Sequence, residues 1–203
     1  QHCAWRVVSL EEKEPDTLEW IAGFKEGDIL WDVGANVGMY SIIAGMKGHR
    51  VYAFEPEAQN YAILQRNIFL NELQDRVTAY PLAISSAEHL DELYLSGPLA
   101  GGSCHTFGEA VNFKLEAKDR PLHQGAMSTS LSELWWRHGL AIPQHIKVDV
   151  DGLEHEVVYG MQTMLEKGEL RSVLLELNTN LDVHRALIGQ MEAHGVADLS
   201  AFA

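Results

Sequence analysis

The segment WDVGANVGMYS, Trp31 to Ser41, sets one carboxylate beside a run of small residues in a single turn. Turns of this composition let a backbone come close to a ligand, because glycine adopts conformations that a Cβ forbids. Three ligand chemistries compete for such a turn: a pyrophosphate, a bare phosphate, and a group carrying positive charge. The dinucleotide fingerprint G-x-G-x-x-G has Gly34 in its first position but Asn36 and Met39 in the other two. A side chain at the second position obstructs the pyrophosphate, and the carboxylate of Asp32 beside the turn would repel that anion. A phosphate loop ending in GK[ST] is not present in the sequence, which removes the second chemistry.

A cation fits these residues better. Asp32 is suited to an ammonium group, and Glu55, which closes the next apolar run, is placed to accept two hydrogen bonds from a ribose diol. S-adenosylmethionine joins both groups to a sulfonium and a carboxylate. The turn residues Gly34, Ala35, Asn36 and Gly38 would border that ligand, with backbone N–H groups near Asn36 and Gly38 meeting its carboxylate at a helix start. Pro56, directly after Glu55, is a residue favoured at helix entry.

The elements that must position these groups follow from hydrophobic patterning. The runs DILWDVG (Asp28–Gly34), RVYAFEP (Arg50–Pro56), VTAYPLAIS (Val77–Ser85), HIKVDVDG (His145–Gly152) and RSVLLELN (Arg171–Asn178) read as buried parallel strands. Helices are expected over Glu14 to Phe24, Met39 to Met46, a stretch through Asn71 that carries Tyr61, Leu64 and Ile68, Leu131 to His138, Glu154 to Glu166, and Val183 to His194. After the third strand the rhythm breaks. LDELYLS and VNFKLEA alternate like half-exposed strands around the glycine-rich GPLAGGSCHTFGE, which predicts a β-hairpin-like insertion around residues 90–118. The whole pattern predicts an α/β fold: a Rossmann-like, doubly wound, mostly parallel sheet in one domain over residues 1–203. Ligands of such sheets lie beyond the carboxyl ends of the strands. Those ends carry Asp32, Glu55, Ala83, Asp149 and Glu176.

Composition narrows the partners. A formal charge of −14 on 203 residues repels phosphate backbones, so a nucleic acid is not the expected partner. No apolar run approaches the ~18 residues of a membrane span. Two cysteines, Cys3 and Cys104, form neither a disulfide framework nor a metal knuckle, and a reducing, cytoplasmic compartment is expected. The chain opens on Gln1 rather than Met, which reads as a trimmed chain.

Taken in order, GDILWDVGANVGMYS, VYAFEPEAQNYAILQRNI, AIS, GGSCHTFG, IKVDVDGLEHEVVYGM and RSVLLELN resemble the FkbM family of S-adenosylmethionine-dependent methyltransferases, from about Glu14 to Asn178. The resemblance implies the class I methyltransferase fold. It implies that Asp32, Gly34 and Asn36 line the methionine end of the cofactor, that Glu55 binds the ribose, and that Ala83 and Ile84 flank the adenine. It places Asp149 at the cofactor floor near the reacting methyl, and it implies methylation of a hydroxyl oxygen on a small molecule or sugar-bearing metabolite. The family pattern continues into two further strands, whereas this chain ends at Ala203 just after its last helix.

An alcohol is a weak nucleophile near neutral pH, so a side chain accepting its proton assists transfer. Asp149 at a strand end is the first candidate for that role, and His105 in the glycine-rich loop is the second. No metal site is predicted; a magnesium-assisted variant would draw on Asp149, Glu176 and Asn178 as hard oxygen ligands. Asp151 and Glu154 have the spacing of a capping box, which accounts for both without a ligand. His155-Glu156 lacks the second histidine of a zinc-protease helix, and Ser103 lacks the flanking glycine of a nucleophile elbow. Trp135 and Trp136 read as packing residues. Two rival classes remain: a nicotinamide-dependent oxidoreductase, disfavoured by Asn36 and Met39, and a non-catalytic nucleoside-binding module.

Overall fold

The computed structural model describes residues 14–194; Cys3, and with it the expected absence of a disulfide, lies outside them. In chain order the first elements are α1 (Pro15–Ala22), β1 (Ile29–Val33), α2 (Met39–Met46), β2 (Arg50–Phe54), α3 (Ala58–Leu70) and β3 (Val77–Tyr80). Then come β4 (Ala83–Ile84), β5 (His89–Tyr94), β6 (Thr106–Phe107), β7 (His123–Thr129) and α4 (Leu131–Trp136). The chain closes with β8 (His145–Val148), α5 (Glu154–Tyr159), α6 (Gln162–Leu165), β9 (Ser172–Leu175) and α7 (Asp182–Ala193).

Five strands form one parallel sheet in the order β3-β2-β1-β8-β9. Side chains of a strand alternate between faces, and here both faces are apolar. Trp31, Val33, Tyr52, Phe54, Ile146 and Val148 pack on one side with residues of α4 to α7. Leu30, Val51, Ala53 and Ala79 pack on the other with Ile21, Ala44, Leu64 and Ile68 of α1 to α3. Helices on both faces of a parallel sheet make the predicted doubly wound architecture. The order reverses at β1, whose neighbours are β2 on one side and β8 on the other. No helix among the described residues is long and apolar enough to cross a membrane.

Three expected elements come out differently. The run Val77–Ser85 is two strands, not one: Pro81, which has no N–H for a ladder, separates β3 in the parallel sheet from β4 in a second sheet of order β4-β7-β5-β6. The expected strand VNFKLEA is a turn, with one isolated bridge between Val111 and Ala117. There the Asn112 side chain accepts from the backbone of Lys114 and Glu116, and Leu115 has φ +59°. β5 pairs antiparallel with two strands: the short β6, through Leu93–Phe107 and Tyr94–Thr106, and β7, from His89–Ser128 to Tyr94–His123. The helix expected over Glu154 to Glu166 breaks at Gly160, where a Cβ would lie 2.4 Å from the Ser85 carbonyl oxygen.

Candidate active site

At the end of β1 the chain passes so close to the end of β8 that a Cβ on Gly34 would sit 1.8 Å from the Asp149 carbonyl oxygen. With φ +77°, this position is restricted to glycine on both counts. The N–H groups of Gly34 and Ala35 both donate to the Phe54 carbonyl, which fixes the turn to β2. Gly38 is held by α3, since a Cβ there would meet Leu64 Cδ1 at 2.2 Å.

Glu55 is the group that organises this turn. Its carboxylate is buried and accepts from Asn36 N at 2.8 Å and from Glu57 N at 2.9 Å. Burial pushes Glu55 up to about 7, against the lowering effect of those two N–H groups. The helix-start amides expected to meet a ligand carboxylate are therefore already used: Val37 N donates to Asn36 Oδ1 and Gly38 N to the Ala35 carbonyl. Glu57, two residues beyond Glu55, caps α3 by accepting from Gln59 N and Asn60 N.

The glycine-rich loop is pinned across this end of the sheet. The Gly102 carbonyl accepts from Asn36 Nδ2 at 2.7 Å and from Asn60 Nδ2 at 3.2 Å, and Gly101 N donates to Asn60 Oδ1. Cys104 N donates to Asp151 Oδ2 at 2.6 Å. His105 Nδ1 accepts from Ser96 N, which leaves the proton of the neutral ring on Nε2. That nitrogen is buried without a hydrogen-bond partner among the described residues, and burial lowers the affinity of the ring for a second proton. His105 lines the cleft, while its Nε2 is closed to solvent, 3.4 Å from where a Cβ on Gly102 would lie.

At the other end stand acids around one buried ammonium. Lys147 Nζ, 4% exposed, lies 2.9 Å from Asp149 Oδ2 and 5.0 Å from the Tyr40 ring centroid. Burial works against its charge, but Asp149 and Asp32 more than reverse that and raise its pKa. Asp32 itself is 1% exposed; its Oδ2 accepts from Ser41 of α2, and its pKa is raised by burial despite Lys147 and Ser41. Glu176 is pushed up to about 8, first by the charge of Asp149 and then by burial.

These elements enclose a cleft of about 190 Å³ at the carboxyl end of the sheet. Of the residues expected there, Gly34, Asn36, Glu55, Pro56, Ala83, Ile84, His105 and Asp149 line it. Asp32, Ala35 and Gly38 do not: they lie behind the turn and shape it. Asn60, Asp151, Leu93 and Phe107 line the cleft without having been singled out for it. Asn60 had a signal, a polar residue four before Leu64 on the apolar face of α3. The expected capping box is not formed either. Asp151 holds Cys104, and Glu154 folds back to accept from Val150 N and Gly152 N. The magnesium variant finds no support, because Asn178 points away to the Phe113 carbonyl. Among the described residues no group of three His, Cys, Asp or Glu is arranged to hold a metal ion.

Residues 32–195 match the family described as the Methyltransferase FkbM domain. The hexuronic acid methyltransferase AglP of Haloferax volcanii is 27% identical over 183 residues, covering 88% of this chain and 67% of its own length. The 31-O-demethyl-FK506 methyltransferase FkbM of Streptomyces tacrolimicus is 26% identical over 194 residues, covering 84% of this chain and 73% of its own. A crystal structure of a methyltransferase FkbM from Methylobacillus flagellatus KT superposes with a TM-score of 0.53 at 17% identity, a likeness of fold. The match covers 84% of this chain but 37% of that larger protein.

Proposed function

The chain belongs to the FkbM methyltransferase domain family, and from that membership we propose that it transfers a methyl group from S-adenosylmethionine to a hydroxyl oxygen of a small molecule or sugar-bearing metabolite. The single observation that carries the cofactor assignment is Glu55: a buried carboxylate at the end of β2, lining the cleft, with lone pairs left for a ribose diol. The apolar wall of Phe54, Ile84, Leu93 and Phe107 suits an adenine ring, with Ala83 and Pro56 at its border. The acids at the far end, Asp149 and Glu176, suit a cationic centre. His105 lines the same space. Asp32 acts on the ligand through Ser41 and Lys147 rather than by contact.

The cofactor supplies an electrophilic methyl group on a sulfonium. What the chain supplies is alignment of an acceptor oxygen in a cleft that excludes water, and a carboxylate to take the proton. Asp149 is placed for that, held in orientation by Lys147. Oxygen as the acceptor atom is supported by the relatives named for a hexuronic acid and for a 31-O-demethyl substrate. The charge of −14 supports a small acceptor over a nucleic acid, and the wide spacing of the two cysteines supports a cytoplasmic setting.

The test is transfer of labelled methyl from S-adenosylmethionine to a panel of hydroxylated acceptors that includes hexuronic acid glycosides and macrolide alcohols. Acceptor-dependent release of S-adenosylhomocysteine is expected, with Asp149→Asn slower by on the order of a hundredfold. Tight cofactor binding with no turnover on any hydroxyl would favour the nucleoside-binding module instead.

A further inference from the structure

The connection from β5 to β6, residues 95–105, is built as a flap across the cleft. Its two ends are clamped at the base by the antiparallel pair Tyr94–Thr106. Just above that base, Ser96 N donates to His105 Nδ1 at 3.1 Å, and Ser96 Oγ donates to the Ser103 carbonyl. A loop tied at its ends in this way is a compact body of its own. Its contacts with the rest of the molecule fall on both rims of the cleft. On the α3 side the Gly102 carbonyl accepts from Asn36 Nδ2 at 2.7 Å and from Asn60 Nδ2 at 3.2 Å. There too, Gly101 N donates to Asn60 Oδ1 at 2.7 Å. On the β8 side Cys104 N donates to Asp151 Oδ2. Asn60 and Asp151 both line the cleft, as do Ser103 and His105 of the flap.

In this position the flap shuts the site. Glu55 is 5% exposed, and the cleft of about 190 Å³ falls short of the ~300–1000 Å³ that small-molecule pockets occupy. A nucleoside joined to an amino acid therefore requires the flap to lift before its ribose reaches Glu55. Asn36 connects the flap to that carboxylate. It has φ +51°, a conformation that asparagine tolerates better than most residues. From there its backbone N–H meets Glu55 Oε2 at 2.8 Å while its Nδ2 reaches the Gly102 carbonyl. The side chain that breaks the dinucleotide fingerprint at this position is a latch.

We propose that residues 95–105 are a lid that lifts to admit S-adenosylmethionine and shuts over it, and that Asn36 and Asn60 are positioning residues that act on the reaction through this lid by latching it. This rests on the assignment of S-adenosylmethionine to the cleft. Shut, the lid completes the cleft wall with Ser103 and His105 and keeps water from the reacting methyl. Hydrogen bonds between neutral amides are weak enough singly to break and reform in each cycle. Binding that waits on such an opening is slower than encounter by diffusion, so the latch shows in the association rate.

Surface plasmon resonance with S-adenosylhomocysteine separates a latch from a ligand contact. Removing a contact speeds dissociation and leaves association as it was. Removing a latch speeds association, because the open state is more populated. Asn60→Ala removes the side chain that holds Gly101 and Gly102. Asn36→Gly removes the second donor to Gly102, keeps the backbone N–H on Glu55, and suits a positive φ. Each variant should associate about tenfold faster than the wild type. An unchanged association rate in either variant, with circular dichroism showing it folded, would overturn the latch. Hydrogen exchange on the wild type alone supplies a check that depends on no variant. Bound S-adenosylhomocysteine should slow the Gly101 and Cys104 amides by about tenfold or more, and equal exchange with and without it would overturn closure of the lid. Absence of binding to the wild type would overturn the cofactor assignment, a result distinct from the other two.

Discussion

At the scale of single residues, the candidate site was legible where a strand end faces the cleft and illegible where the alternation of the strand turns a side chain away. Glu55 and Asp149 follow the last residues of β2 and β8 and reach the cleft as their positions predict. Asp32 sits one residue before the end of β1 and alternates to the α2 side, where it bonds Ser41; the motif drew attention to its charge, and the period of two decided its direction. Glu55→Ala should weaken S-adenosylhomocysteine binding by roughly thirty- to a hundredfold, about 2–3 kcal/mol for two charge-assisted hydrogen bonds partly replaced by water. The far-ultraviolet circular dichroism should be unchanged, because the residue follows a strand rather than filling the core. Calorimetry on both proteins checks this, and undiminished affinity in the variant would remove Glu55 from the ribose.

At the scale of elements, the strands of the parallel sheet were readable because both of their faces are buried and their sequences are continuous apolar runs. The insertion was not, because β7 (HQGAMST) carries a glycine and little β-branched content, while VNFKLEA alternates well yet is bent by the Asn112 side chain. What the insertion contributes is the loop from Leu99 to His105. A cleft of about 190 Å³ is smaller than the ~300–1000 Å³ of most ligand pockets, and this loop narrows it through Ser103 and His105. Asn60 is buried and holds both Gly101 and Gly102. Asn60→Ala removes the side-chain acceptor of Gly101 N and the weaker of two side-chain donors to the Gly102 carbonyl, which keeps Asn36 Nδ2, a loss of about 1–3 kcal/mol. Hydrogen exchange of the Gly101 amide should speed up by tenfold or more, with the β1 and β2 amides unaffected. Equal protection in the variant would mean that the loop is held by other contacts.

At the scale of the whole molecule, the fold was legible because helices and buried strands alternate, and the order β3-β2-β1-β8-β9 places the switch beside β1. Charge burial leaves its own signature on stability. Glu55 and Glu154 are each pushed up to about 7, in both cases first by burial. Between their ordinary value and 7 the folded state therefore holds protons that the unfolded chain has released, and stability falls as the pH rises through that window. His105, His145 and His184, all lowered by burial, act in the opposite sense, since the unfolded chain is the better proton binder there. The difference between two proteins isolates the acid: relative to wild type, Glu154→Gln should gain melting temperature steadily from pH 5 to pH 7.5, and a constant offset would contradict the assignment. The central claim, that this fold holds S-adenosylmethionine rather than a dinucleotide, is tested most directly by thermal unfolding with each ligand. At a hundred times its dissociation constant, S-adenosylhomocysteine should add about 2.7 kcal/mol, a rise of roughly 5–10 °C for a chain of this size. NAD and NADP should leave the melting temperature where it is, and stabilisation by either of them with none from S-adenosylhomocysteine would contradict the account.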